Sequence, residues 1–228
     1  MSGKSEQASF NVTLEGEHVF RRKTQRRLFR ESGIDSAAAM IGDVADGDEI
    51  CGITNGQFSL VDVIEHVLTQ TGPSDVAVST WTMGIYDAEK AYKFVENQRI
   101  KSIRFILDPS MFTRRAELAS VLVKGFGADA FRAVNSHAKF TTIRGAALAV
   151  TIRTSMNLNE NRRIESFDLS ASDEMTTFFE GLVNRIWEKV NRDNRSQSEA
   201  VFAGLLGATS VKRPFRRNPW LANGGGDG

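Results

Sequence analysis

The chain has 228 residues but only one cysteine, three histidines and a formal net charge of +1. A single cysteine closes no internal disulfide and supplies no cysteine-rich zinc site. Three histidines are too few for a His-rich metal cluster. The even charge balance means that a charged partner, if there is one, must be met by basic residues gathered locally. Long apolar runs are also missing. The longest, Gly145 to Ile152, falls far short of the roughly 20 residues that a membrane helix needs. Met1 to Asn11 is polar, without an apolar core and small-residue cleavage site. The expectation is a soluble, cytoplasmic, reduced protein with no membrane insertion. Cys51, in Glu49 to Thr54, is expected to be a small buried hydrophobe. No internal repeat is visible.

What is present describes an ordinary globular protein. Hydrophobic residues make up 41% and charged residues 25%, which separates the chain from disordered sequences. The length suits one medium domain with tails, or at most two small ones. Composition divides it into a basic N-terminal segment (1–45), a main domain (46–192) and a C-terminal apolar patch with a basic flexible tail (193–228).

The main domain begins as alternating strands and helices. Glu49 to Thr54 reads as a strand. Ser59 and Asp62 form a capping-box pattern before Leu60, Val63, Ile64, Val67 and Leu68, which recur at helical spacing until Gly72-Pro73. Strands follow at Asp75 to Thr82 and Lys101 to Leu107, and helices at Asp87 to Gln98 and Arg114 to Val123. This order predicts βαβ units. Four strand-like runs then come without intervening helices: Phe131 to Val134, Lys139 to Ile143, Ala147 to Thr154 and Ile164 to Leu169. Ser172 caps a closing helix to about Val190, with a buried stripe of Phe178, Phe179, Leu182, Val183, Ile186 and Trp187. The predicted fold class is α/β, a mixed β-sheet sandwiched between helices.

Two segments carry chemistry. One is Asn135-Ser-His-Ala-Lys-Phe140. The other is Thr154-Ser-Met-Asn157, followed by Asn161 and Glu165. Residues two apart on a strand share a face, so His137 and Lys139 project together, as do Ser155 and Asn157 if the strand persists. An imidazole, an ammonium, a hydroxyl and an amide suit a phosphodiester. Imidazole attacks phosphorus or moves a proton near neutral pH, and the others hold non-bridging oxygens. Glu165 is positioned in sequence to orient the imidazole as the third member of a triad does.

The pattern His137-x-Lys139, then Ser155-x-Asn157, then Glu165 resembles the phospholipase D superfamily, whose signature is His-x-Lys-x4-Asp, Gly-Ser-x-Asn and a downstream Glu. The similarity runs from about residue 48 to 190 and implies one half-domain of that family per chain. Two departures stand out. Arg144 occupies the Asp position, and the gap from His137 to Ser155 is about three residues longer than usual. The resemblance implies a phosphodiesterase, a metal-independent nuclease acting on DNA or RNA without a cofactor. It also implies two histidines, one attacking phosphorus to form a phosphohistidine and one protonating the leaving oxygen. Only His137 is suitable: His18 lies beside the basic run and His66 inside an amphipathic helix. The implied site is therefore shared across a homodimer. The alternative is a degenerate relative that binds nucleic acid, or serves in assembly, without cutting.

Positive charge is clustered. Arg21, Arg22, Lys23, Arg26, Arg27 and Arg30 form, if helical, two rows that read either as a phosphate-backbone footprint or as a solvated helix face. Lys212, Arg213, Arg216 and Arg217 interleave with aromatic residues, as in a nucleic-acid clamp or an arm that docks on another subunit. Arg153, Arg162 and Arg163 flank the second segment and are expected to enrich the cleft in positive charge.

Overall fold

The computed structural model describes residues 26–30, 36–159 and 163–193. Among them, eight strands form one mixed sheet, with six α-helices. The strands are β1 (Arg26–Arg30), β2 (Asp48–Thr54), β3 (Ser74–Thr80), β4 (Ile100–Leu107), β5 (Phe131–Ala133), β6 (Phe140–Arg144), β7 (Ala149–Thr154) and β8 (Glu165–Ala171). Their spatial order is β1-β2-β8-β7-β6-β3-β4-β5. β3, β4 and β5 run parallel, as do β1 and β2, while β6, β7 and β8 are joined by antiparallel pairings to one another and to β3 and β2.

The alternating first half forms as its sequence predicts. Helix α2 (Leu60–Thr71) opens on Ser59, whose N–H donates to Asp62 Oδ2 at 2.7 Å, and ends at Gly72, where φ is 69°. Burial alone would raise the Asp62 carboxyl, but Lys90 and the Ser59 N–H together hold it below its ordinary value. Lys90 bridges Asp62 and Glu65 at 2.6 Å each, tying α2 to α3 (Ile85–Glu96). The helix expected over Arg114 to Val123 is present as α5 (Ala116–Phe126), and a further short helix, α4 (Pro109–Arg114), precedes it, the two broken at Arg115, whose φ of −135° leaves the helical region. The break lets the chain turn after Asp108 caps α4 through the Ser110 N–H at 2.9 Å.

The basic run departs from its helical reading. Residues 26–30 form β1, parallel to β2, so the expected helical rows do not form there. Arg21, Arg22 and Lys23 lie outside the described residues. β1 and α1 (Ala37–Ile41) precede residue 46, yet β1 extends the main sheet, and Met40 and Ile41 of α1 join the main core.

Strand alternation sends side chains to two cores. On one face, Val76, Val78, Phe105, Leu107, Ile143, Val150, Ile152 and Phe167 pack with α1, α2, α3 and α5. On the other, Ala77, Ile106, Val134 and Phe140 pack under α6 (Asp173–Asp193). Helices therefore lie on both faces. Val183 and Ile186 of α6 are buried, the Phe179 ring packs at a tilt with its centroid 4.8 Å from that of Phe140, and the half-buried Trp187 lies beneath the Arg132 and Arg104 guanidinia at 4.6 and 5.5 Å.

The turn between β6 and β7 touches the other layer. A side chain at Gly145 would place its Cβ 2.1 Å from the Thr71 carbonyl oxygen at the end of α2. Backbone cannot yield there as a flexible side chain would. Gly145→Ala is expected to lower stability by about 1–3 kcal/mol, read as a lower urea midpoint with an unchanged slope. An unchanged midpoint would show that this approach is not constraining.

Candidate active site

The direction of the strands decides where the chemistry gathers. β2, β3, β4 and β5 end at the same edge of the sheet at which β6 and β8 begin and β7 ends. In open α/β sheets the ends of the parallel strands are where ligands bind, because the connections there leave crevices. His137 and Lys139 precede β6, Ser155 and Asn157 follow β7, and Glu165 opens β8.

Specific bonds hold these segments in register. The Thr154 N–H donates to the Lys139 carbonyl at 3.1 Å, joining the two halves of the motif across the β6–β7 ladder. Ser79 Oγ, near the end of β3, donates to the Ala138 carbonyl at 2.8 Å. Thr80 Oγ1 accepts from the Leu158 N–H at 3.1 Å and lies 3.4 Å from Asn157 Oδ1. Ser79 and Thr80 are thus positioning residues that the sequence reading did not single out. Their only signal is their place at the end of a strand, which becomes informative once β3 is known to neighbour β6.

The side chains form two linked groups. The Lys139 ammonium lies 3.4 Å from each ring nitrogen of the exposed His137 and donates to its carbonyl at 3.2 Å. Ser155 Oγ donates a short hydrogen bond to Glu165 and accepts from the Ser166 N–H at 2.9 Å. Burial holds the Lys139 ammonium below its ordinary value, and the Glu165 carboxylate works against that shift. The five residues expected from sequence therefore meet at one edge. The pairing expected for Glu165 is corrected: it accepts from Ser155. No carboxylate among the described residues hydrogen-bonds the His137 imidazole. The reason is register, since Ser155 and Ser166 exchange backbone and side-chain bonds that hold Glu165 beside Ser155.

Arg144 has a structural place. It lies at the far end of β6, five residues and about 17 Å along the strand from Lys139. Its guanidinium donates to Glu180 at 2.9 Å, to Thr177 at 2.9 Å and closely to Asp173, clamping the start of α6 to the sheet. The Glu180 bonds hold it still further above its ordinary value. Arg144→Ala is expected to lower stability by about 1–2 kcal/mol, because Glu180 is left half-buried without its partner. The urea midpoint checks this, and no change would show that the clamp contributes nothing.

The described basic residues lie on separate elements. Arg153 sits on β7 opposite Phe140 and Asp168, and alternation puts it with Thr151 on the α6 face. Arg163 is exposed on the connection before β8. β1, which carries Arg26, Arg27 and Arg30, is four strand spacings from β6, about 19 Å away. Asn161, Arg162, Lys212, Arg213, Arg216 and Arg217 lie outside the described residues, as does His18.

The other expectations resolve as follows. His66 has a structural role, with Nε2 2.8 Å from the Gly42 carbonyl at the end of α1. Cys51 is half-buried, not fully buried, because β2 turns alternate residues to a face that α6 does not cover, where Cys51 lines a groove with Phe29 and Ile53. Among the described residues, no helix is long and apolar enough to cross a membrane.

No family model matches the chain, and no curated protein matches it.

The charge balance at the motif is testable without a substrate. Because the Glu165 carboxylate supports the Lys139 ammonium, Glu165→Gln is expected to lower the Lys139 pKa further. Carbon-13 NMR titration of labelled lysine reads this directly. A rise would contradict the placement.

Proposed function

We propose that the chain is a phospholipase D-like phosphodiesterase, and specifically a metal-independent nuclease that works as a homodimer. The observation that carries this reading is the meeting of His137, Lys139, Ser155, Asn157 and Glu165 at one sheet edge. An exposed imidazole beside an ammonium is suited to a phosphodiester. The ammonium offsets charge on a non-bridging oxygen, and the imidazole supplies a nucleophile at neutral pH.

In the proposed reaction, a ring nitrogen of His137 attacks phosphorus as its P–N bond forms and the bond to the leaving oxygen breaks. That oxygen takes a proton from His137 of a second copy. Water then attacks the phosphohistidine, releasing the phosphate product and the free imidazole, and the second copy's histidine recovers a proton from that water. Lys139 and Asn157 hold the non-bridging oxygens. Glu165 and Ser155 keep the rim of the site in register and support the Lys139 charge.

A second reading is favoured by one observation: no carboxylate among the described residues orients the His137 ring. An unoriented imidazole beside a lysine binds phosphate without advancing the chemistry, as in a degenerate nucleic-acid-binding relative. The two readings separate in one experiment. Cleavage of nucleic acid in EDTA that His137→Ala abolishes, with the dimer intact by sedimentation, supports the nuclease. Cleavage unaffected by that substitution overturns it. Salt-sensitive binding with no cleavage, retained in His137→Ala, establishes the binding protein instead.

A further inference from the structure

Beside His137, on the same edge, stands a side chain that the motif does not use. Trp81 follows the last residue of β3, and its indole centroid lies 6.2 Å from the His137 ring, tilted by 51°. The Arg114 guanidinium, at the end of α4, lies over the indole at 6.0 Å. Neither neighbour is stacked flat against the indole. The imidazole is tilted, and the guanidinium is at the outer limit of cation–π distance. Trp81 is half-buried and Arg114 is exposed. Among the described residues, Arg114 makes no ion pair and the Trp81 N–H no hydrogen bond.

Trp187 offers an internal comparison. It too lies under arginines, but Arg132 donates to the Phe131 carbonyl at 2.7 Å and Arg104 to Asn184 at 2.7 Å. Those guanidinia are committed to the fold, and the Trp187 pairing is packing. The guanidinium over Trp81 has no such commitment among the described residues.

The backbone that presents Trp81 is firmly held. Thr80 Oγ1 donates to the Thr82 carbonyl at 2.9 Å, Met83 bridges Leu158, and the Gly84 N–H donates to the Leu158 carbonyl at 2.7 Å. The same segment therefore fixes Trp81 and the residues after Asn157. Aromatic side chains on rigid supports hold ligands at low entropic cost.

We infer that Trp81 and Arg114 form a stacking platform for an unpaired base adjacent to the phosphate at His137, so that the site takes single-stranded nucleic acid. The inference rests on the reading that a phosphodiester faces His137. Successive nucleotides along a strand are separated by about 3.4 Å when stacked, so a group 6.2 Å from the imidazole is within one or two nucleotides of it. A paired base hides its faces within the duplex, which disfavours double strands. A choline headgroup also seeks aromatic rings, but the Arg114 cation over this ring repels a quaternary ammonium while stacking favourably on a base.

The test measures binding of the full-length protein in EDTA to a single-stranded oligonucleotide of about 10 nucleotides, to the same length of abasic strand, and to the duplex. A stacked base contributes about 1–3 kcal/mol, or roughly 5- to 150-fold. The base-bearing strand is therefore expected to bind about tenfold or more tighter than the abasic one. Trp81→Ala should bring it down to the abasic level without altering abasic affinity, and Trp81→Phe should retain part of the preference. If Trp81→Ala does not fold, as judged by circular dichroism, Trp81→Phe and Arg114→Gln carry the test through a reduced preference. Equal binding of base-bearing and abasic strands overturns the inference. So does an undiminished preference in the variants, tighter binding of the duplex, or Trp81-dependent binding to phosphatidylcholine vesicles in place of the oligonucleotide. His137→Ala keeps the two proposals apart: it should retain the base preference while losing cleavage. Preference without cleavage in the native protein sinks only the nuclease, and cleavage without preference sinks only the platform.

Discussion

The antiparallel pairing of β6 with β3 is the contact on which the rest of the molecule depends. β3 begins a parallel unit with β4 and β5, and β6 begins an antiparallel run through β7 and β8 to β2. Among the described strands, the β3–β6 ladder joins them within the sheet. Its register, Ser79 opposite Phe140 and Asp75 opposite Arg144, decides both ends of the molecule at once. At one end it brings Ser79, Thr80 and Trp81 beside His137 and Lys139. At the other it sets Arg144 where Asp173 and Glu180 of α6 can reach it. A slip by one residue would turn every β6 side chain to the wrong face, moving Phe140 out of the α6 core and Ile143 out of the larger one.

The two ends of β6 divide function from stability. The Lys139 end is half-exposed, and burial disfavours its charge while Glu165 supports it. The Arg144 end carries a dense set of charge-assisted bonds that fasten a helix to the sheet. Arg144 is a cation already committed to two carboxylates, and it adds no charge to the candidate site. The two tryptophan–arginine pairings differ in kind: Trp187 packs under Arg132 and Arg104, which are bonded elsewhere in the fold, whereas Trp81 stands beside the imidazole under Arg114, which makes no ion pair among the described residues.

Local patterns were legible where they were strong. The Ser59–Asp62 cap, the stop at Gly72, the apolar runs of β3 and β4 and the helically spaced apolar residues of α6 follow from short-range rules that no distant contact overrides. The strand at residues 26–30 was not legible. Arg26, Arg27 and Arg30, which flank Leu28 and Phe29, satisfy helical spacing as well as strand spacing, and pairing with β2 decides between them. Cys51 was misjudged for a related reason. Its burial depends on what covers that face of β2, and α6 stops short of it.

From the residues alone, the sequence determined the alternating α/β plan, the two halves of the candidate motif and the identities of the groups able to handle a phosphodiester. These depend on periodicity and side-chain chemistry, which are local. Tertiary structure alone decided that the two halves meet, that Glu165 serves Ser155 and not His137, and that Arg144 belongs to α6. It alone decided that Trp81 and Arg114, separated by the whole of α3 and β4, stand together at the site. The physical reason is the sheet ladder, which pairs residues by backbone register across long stretches of chain, independently of their spacing in sequence.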